Sequence, residues 1–150
     1  MVSIRFEQIN EDNESMVRSV KLKLGQRGFI ESVEECLEEA KEVEEWRPVA
    51  IYNNMDLVGF AMYGSFGPNR DTWIDRIIID QHHQGNGIGK AAMVLLMEKV
   101  LNEYKIDRLY LSIVDGNEIA LNLYTHLGFK YINEKDPNRE EILMYKKPEN

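Results

Sequence analysis

The chain has 150 residues, 43% hydrophobic and 29% charged, the size and balance of one ordinary globular domain rather than a disordered chain. Its formal net charge of −8, with no basic stripe, argues against nucleic-acid binding, because phosphate contacts need clustered Lys and Arg. No stretch has the length and apolarity to span a bilayer, the charged start Met1-Val-Ser-Ile-Arg-Phe-Glu7 lacks an apolar leader, and Cys36 is the one cysteine, so a cytoplasmic protein without internal disulfide or membrane contact is expected.

From the amino terminus, residues 4–8 read as a strand and 12–24 as a helix, followed by a Gly25-Gln-Arg-Gly28 joint. A second helix is expected to start at Ser32, where Glu35 completes a capping box. Its apolar positions Val33, Cys36, Leu37, Ala40 and Val43 recur at helical spacing, which puts Cys36 in the core and turns Glu34, Glu35, Glu38, Glu39, Glu42 and Glu45 to water. Residues 31–45 hold eight glutamates against one lysine, a net of −7, so nearly all of the net charge gathers on one helix face. Such a face suits a cationic partner.

Residues 49–52 and 57–63 flank the turn-prone pair Asn53-Asn54 as an antiparallel hairpin, with 64–71 as a loop. Residues 73–80 follow as a central, largely apolar strand. Asp75 inside it is costly unless it has a basic partner, such as Arg76 of another copy, or a chemical role. The strand feeds a glycine-rich turn, Gln84-Gly-Asn-Gly-Ile-Gly-Lys90, that opens a helix over 87–104. Small residues there let backbone N–H groups face an anion, and the helix start adds partial positive charge, so a phosphate-bearing ligand is expected. A Walker A loop would need Gly where Gln84 stands and Ser or Thr where Ala91 stands; a dinucleotide fingerprint counted from Gly85 would need Gly in place of Lys90. Both classes are thereby disfavoured.

Residues 108–114 form the next strand, and a strand–helix–strand run implies a parallel pair with a right-handed crossover. The segment from Asn117 to Phe129 reads as a helix capped by Asn117 and closed by Gly128. Residues 130–133 and 141–145 add two antiparallel strands around Asp136-Pro-Asn138. The expected fold class is α/β: a mixed, mostly antiparallel central sheet with one parallel pair at the ligand site and helices on both faces. His82, His83 and His126 have no spacing that supports a metal site.

The loop Gln84-x-x-Gly87-x-Gly89 resembles the Q/R-x-x-G-x-G/A loop of the GNAT-type N-acetyltransferase superfamily. Asn117, Ala120, Tyr124, Gly128 and Phe129 match its N-x-x-A-x-x-x-Y-x-x-x-G-F signature. Within it the chain is similar to the bacterial spermine/spermidine acetyltransferases, through Pro48-Val49, Asp56-Leu-Val-Gly-Phe-Ala-Met-Tyr63 and Trp73-Ile-Asp-Arg76. This resemblance implies a GNAT-like acyl-CoA N-acyltransferase fold and direct acetyl transfer from acetyl-CoA to a primary amine, with a polyamine as acceptor. It implies that Gln84, Gly85, Asn86, Gly87, Ile88, Gly89 and Lys90 wrap the pyrophosphate of coenzyme A, and that the main chain of Ile77, Ile78 and Ile79 pairs with the pantetheine arm and polarises the thioester carbonyl.

By the same resemblance Asn117, Ala120 and Tyr124 contact the cofactor, and Tyr124 takes the place of the family's general acid. Asp75 matches a carboxylate of the polyamine enzymes and would bind the substrate and take its ammonium proton, directly or through water. The family's substrates enter between the first two helices, which makes Glu34 and Glu35 candidate substrate contacts. Plainer readings stand beside these: Asn117 as a helix cap, Tyr124 as packing, the acidic face as solvated surface. The rival functions are acetylation of another amine (amino acid, aminoglycoside or protein N-terminus) and a non-catalytic coenzyme A or polyamine sensor. A homodimer through a sheet edge near the carboxyl terminus is compatible with either.

Overall fold

The structure is a computed structural model that describes residues 2–20, 33–85 and 87–149. In chain order its elements are β1 (Ile4–Gln8), α1 (Glu14–Arg18), α2 (Val33–Glu42), β2 (Trp46–Asn53), β3 (Asp56–Phe66) and β4 (Asp71–Ile79). A short 3₁₀ turn at Gln81–His83 leads to α3 (Ile88–Tyr104), β5 (Arg108–Ile113), α4 (Glu118–His126), β6 (Lys130–Lys135) and β7 (Glu141–Lys146). Seven strands form one sheet in the order β1-β2-β3-β4-β5-β7-β6. The β4–β5 pair is parallel and the other neighbours are antiparallel, as the strand–helix–strand pattern implied.

Side-chain alternation along the central strands divides the interior in two. Val58, Ala61 and Tyr63 of β3 pack with Ala92, Met93 and Leu96 of α3. Phe60 and Met62 turn the other way, onto Val17, Cys36 and Leu37 of the first two helices. A strand covered on both faces reads as a continuous apolar run, which is why β3 shows no sequence alternation. Helix α4 lies on the α3 side, through Ala120, Leu121, Tyr124 and Leu127.

One irregularity positions the site. Met62 and Tyr63 pair with Arg76 and Ile74, so Asp75 is the extra residue of a bulge in β4. A bulge bends its strand and raises its twist. The parallel pair correspondingly has one ladder contact, Trp73↔Tyr110, where the two rings sit 5.3 Å apart. Beyond that clasp β4 and β5 diverge.

Several expected boundaries move. Helix α1 begins at Glu14 rather than at residue 12, because Asn10 and Asn13 form a side-chain-bonded turn first: Asn10 Oδ1 accepts from the Asp12 and Asn13 N–H groups, and Asn13 Oδ1 accepts from the Asn10 N–H. It closes at Arg18; residues 21–24, the Gly25–Gly28 joint and the Ser32 cap lie outside the described residues. Half of the expected loop over 64–71 is strand, since β3 runs to Phe66 and β4 starts at Asp71. Gly64 is there for space: an added Cβ would lie 2.9 Å from both the Glu45 carbonyl oxygen and the Trp46 ring, while Trp46 and Phe66 stack edge-on at 4.7 Å. The true turn is residues 67–70, closed by the Arg70 N–H on the Gly67 carbonyl at 3.1 Å. The first hairpin turns at Asn54 and Met55, one residue later than expected, since Asn53 still pairs with Asp56 and Asn54 takes φ 57°. Strand β6 continues past Asn133, whose φ of 61° makes a bulge rather than an end.

Candidate active site

Strand β4 delivers the chain to the glycine turn. Gln84 Nε2 donates to the Ile79 carbonyl at 2.7 Å, tying the turn to the strand end, and Asp80 accepts from the His82 N–H at 3.2 Å to form the 3₁₀ turn between them. Gly85 and Gly87 take φ of 90° and 75°, conformations a side chain disfavours, and nothing lies within 4 Å of a Cβ built on either. Gly87 is the N-cap of α3, which has no side-chain cap and no acidic residue in its first turn. The outcome is open space beside Gly85 and Gly87 at the positive end of a 17-residue helix, a fit for a phosphate group. Ile88 is buried as the helix's anchor in the core and Lys90 is exposed; Asn86 lies outside the described residues. Of the three isoleucines, Ile78 is 2% exposed in the α1–α2 core, whereas Ile77 and Ile79 are half-buried on the α3 side.

Where β4 and β5 diverge there is a cleft of about 50 Å³. Asp75, Arg76 and Ile77 line one wall, Ser112 and Val114 another, and Asn117, Ala120 and Tyr124 come from α4 and its cap. Asn117 Oδ1 accepts from the Ala120 N–H at 3.2 Å, so it does cap the helix while bordering the cleft. Tyr124 packs edge-on against the buried Phe129, ring centroids 5.9 Å apart. Burial pushes its phenol up to about 12, partly opposed by the Arg76 guanidinium. Asp75 Oδ2 and Arg76 Nε are shut off from solvent, and Arg76 Nη1 donates to the Asp75 carbonyl at 2.9 Å. A carboxylate, a cation and a protonated phenol thus share one small, partly buried space, enough to take one proton and give another.

Sequence reasoning placed Asp75, Ile77, Asn117, Ala120 and Tyr124 where they meet, but passed over Arg76, Ser112 and Val114 as site residues. A cation next to Asp75, inside an otherwise apolar run, was the available signal for Arg76. Glu34 and Glu35 do not line the cleft. They are exposed on the outer face of α2, with Glu34 3.9 Å from Arg18. His82 and His83 line a separate groove with Met55 and Asp56. Among the described residues no group of three His, Cys, Asp or Glu is arranged to hold a metal, and no helix is long and apolar enough to cross a membrane.

Residues 16–129 match the acetyltransferase (GNAT) family, and the chain belongs to that family. Its relatives narrow the comparison. The chain is 38% identical over 149 residues to the spermine/spermidine N(1)-acetyltransferase of Bacillus subtilis (strain 168), an alignment covering 95% of this chain and 98% of that protein. It is equally 38% identical, over the same shares, to a probable spermine N(1)-acetyltransferase of Bacillus subtilis subsp. natto. Among solved structures, the spermidine N-acetyltransferase of Vibrio cholerae in complex with CoA and spermine superposes with a TM-score of 0.72 at 15% identity, covering 94% of this chain and 92% of that one. The PaiA N-acetyltransferase of Thermoplasma acidophilum in complex with coenzyme A superposes at 0.67 and 17% identity, covering 96% and 99%. At such identities the superpositions speak for the fold.

Proposed function

We propose that this acetyltransferase moves the acetyl group of acetyl-CoA onto a primary amine of a polyamine, spermidine or spermine, by direct attack in a ternary complex. The observation that carries the reading is the cleft at the β4 bulge, where Asp75 and Arg76, on the strand that ends at the glycine turn, meet Tyr124 of α4. Bound acetyl-CoA supplies an activated thioester. The N–H groups at the start of α3 and the turn at Gly85 and Gly87 would hold its pyrophosphate, and the main chain of Ile77 to Ile79 its pantetheine arm. Asp75 takes a proton from the substrate ammonium, directly or through water. The freed nitrogen forms the C–N bond as the C–S bond breaks, strand N–H groups steady the oxygen, the Tyr124 phenol protonates the departing sulfur, and the second proton shed by the acylated nitrogen returns to the Tyr124 phenolate, directly or through water.

For the acceptor, support comes from the Bacillus relatives, named for spermine and spermidine, and from the acidic outer face of α2. On this reading the enzyme is cytoplasmic, and β6, the open sheet edge near the carboxyl terminus, is the surface offered to a second copy. A panel of polyamines, amino acids and aminoglycosides assayed with acetyl-CoA and thiol detection tests the acceptor. Spermidine and spermine should give the highest kcat/KM. Preference for another amine would overturn the acceptor, and binding of acetyl-CoA without thiol release in the presence of any amine would make the chain a sensor.

A further inference from the structure

A larger groove, about 590 Å³, opens between β1, β2 and the last turns of α3, and shares no lining residue with the acetyl-transfer cleft. Its volume falls in the range of small-molecule sites, about 300–1,000 Å³. Phe6, Val49 and Tyr63 give it an apolar floor continuous with the α3 core. Tyr63 and Tyr104 meet edge-on across it, ring centroids 6.1 Å apart.

The polar groups around that floor are held in place by one another. The Tyr63 hydroxyl donates to Glu103 Oε1 at 2.9 Å, and Lys99 Nζ donates to the same oxygen at 3.0 Å while lying 5.9 Å from the Tyr63 ring centre. Arg47, exposed on β2, lies beside the Tyr104 phenol, which raises the pKa of its guanidinium. The single carboxylate of the groove is therefore already engaged by a phenol and an ammonium, and Arg47 adds a second cation. Arg47, Lys99 and Glu103 sum to +1 in a chain whose formal net charge is −8. An amine entering here would meet two like charges. A carboxylate would meet a guanidinium whose planar fork matches it and an ammonium on the facing helix.

We propose that this groove is a second small-molecule site, for a carboxylate carrying an aromatic body, with the carboxylate on Arg47 and Lys99 and the ring against Tyr63 and Tyr104. The proposal is independent of the acetyl-transfer reading. Titration of the full ¹⁵N-labelled chain with phenylacetate, and separately with phenylacetamide as an uncharged isostere, tests it by amide and Arg side-chain shifts. Expected are saturable shifts centred on Arg47, Lys99 and Tyr104 with phenylacetate, and binding at least about tenfold weaker for phenylacetamide, since a charge-assisted bond is lost. Arg47→Gln, on the surface, should weaken phenylacetate at least about tenfold and leave acetyl-transfer turnover unchanged; Lys99→Gln should act in the same direction. No saturable shifts, equal affinity for the amide, shifts centred on the acetyl-transfer cleft, or unaltered binding in both variants would each overturn it.

Discussion

Replacing Tyr124 by phenylalanine removes one transferable proton and almost no volume, because the ring keeps its edge contact with Phe129 at 5.9 Å. With its phenol pushed by burial from 10.0 up to about 12, Tyr124 stays protonated across the neutral range and is available as an acid. General acid catalysis is typically worth about 10² to 10⁴ in rate, or about 3 to 5 kcal/mol of barrier. Steady-state turnover of Tyr124→Phe with spermidine should fall within that span, while acetyl-CoA affinity by calorimetry stays the same. The pKa shift carries a second signature. Between pH 10 and 12 the unfolded chain has released a proton that the folded protein still holds, so stability is full below pH 10 and falls as pH rises through that window. A two-unit shift sets the loss at no more than about 2.7 kcal/mol, an upper bound because the ring is part exposed at the cleft. The Phe variant should escape this loss, whereas Tyr63, also pushed up by burial, titrates in both proteins and cancels from the difference. A folded Phe variant with near-normal turnover would refute the reasoning and leave water to protonate the thiolate.

The glycine cradle is tested by Gly89→Ala, whose new Cβ would lie at an ordinary 3.6 Å from Ile79 Cγ1: the melting temperature should hold while acetyl-CoA affinity drops at least about tenfold, and unchanged affinity by calorimetry would count against close backbone approach. Gly59→Ala should do the reverse, because its Cβ would fall 2.2 Å from the Ile78 carbonyl oxygen; a loss of about 1–3 kcal/mol is expected, and an unshifted thermal unfolding curve would show that β3 and β4 can part without cost. Converting the exposed Glu34, Glu35 and Glu38 to Gln should raise the KM for spermine at low salt and leave kcat nearly unchanged, since steering acts on encounter and is screened over about 10 Å at 0.1 M salt. Wild-type spermine kinetics in that triple variant would reduce the face to a solvated surface.

Local chemistry made much of this legible in advance. Apolar runs located the central strands, and Gly85, Gly87 and Gly89 marked the turn into a long helix, because each signal is carried within a few residues. The Asn117 cap and the Gly128 closure were readable for the same reason. What escaped depends on residues far apart in the chain. Gly64 looked like a loop residue because the Trp46 ring that crowds it arrives from another strand. Arg76 looked like a strand charge because its place in the cleft follows from a bulge, which is a mismatch between two strands and leaves no mark in either one. Sheet order places Tyr63, Glu103 and Arg47 around one groove although they sit in three separate elements.

The division of the interior into two cores bears on how such an enzyme can change over time. Ala92, Met93 and Leu96 fasten α3, and with it the cradle, to one side of the sheet, while Val33, Cys36 and Leu37 fasten α2 to the other. Substitutions that reshape α2 therefore repack against Phe60 and Met62 without disturbing the seat of α3. If the amine enters on the α2 side, acceptor preference can drift through repeated small repackings while donor handling stays constant, and the sheet itself is the wall that keeps those two histories apart.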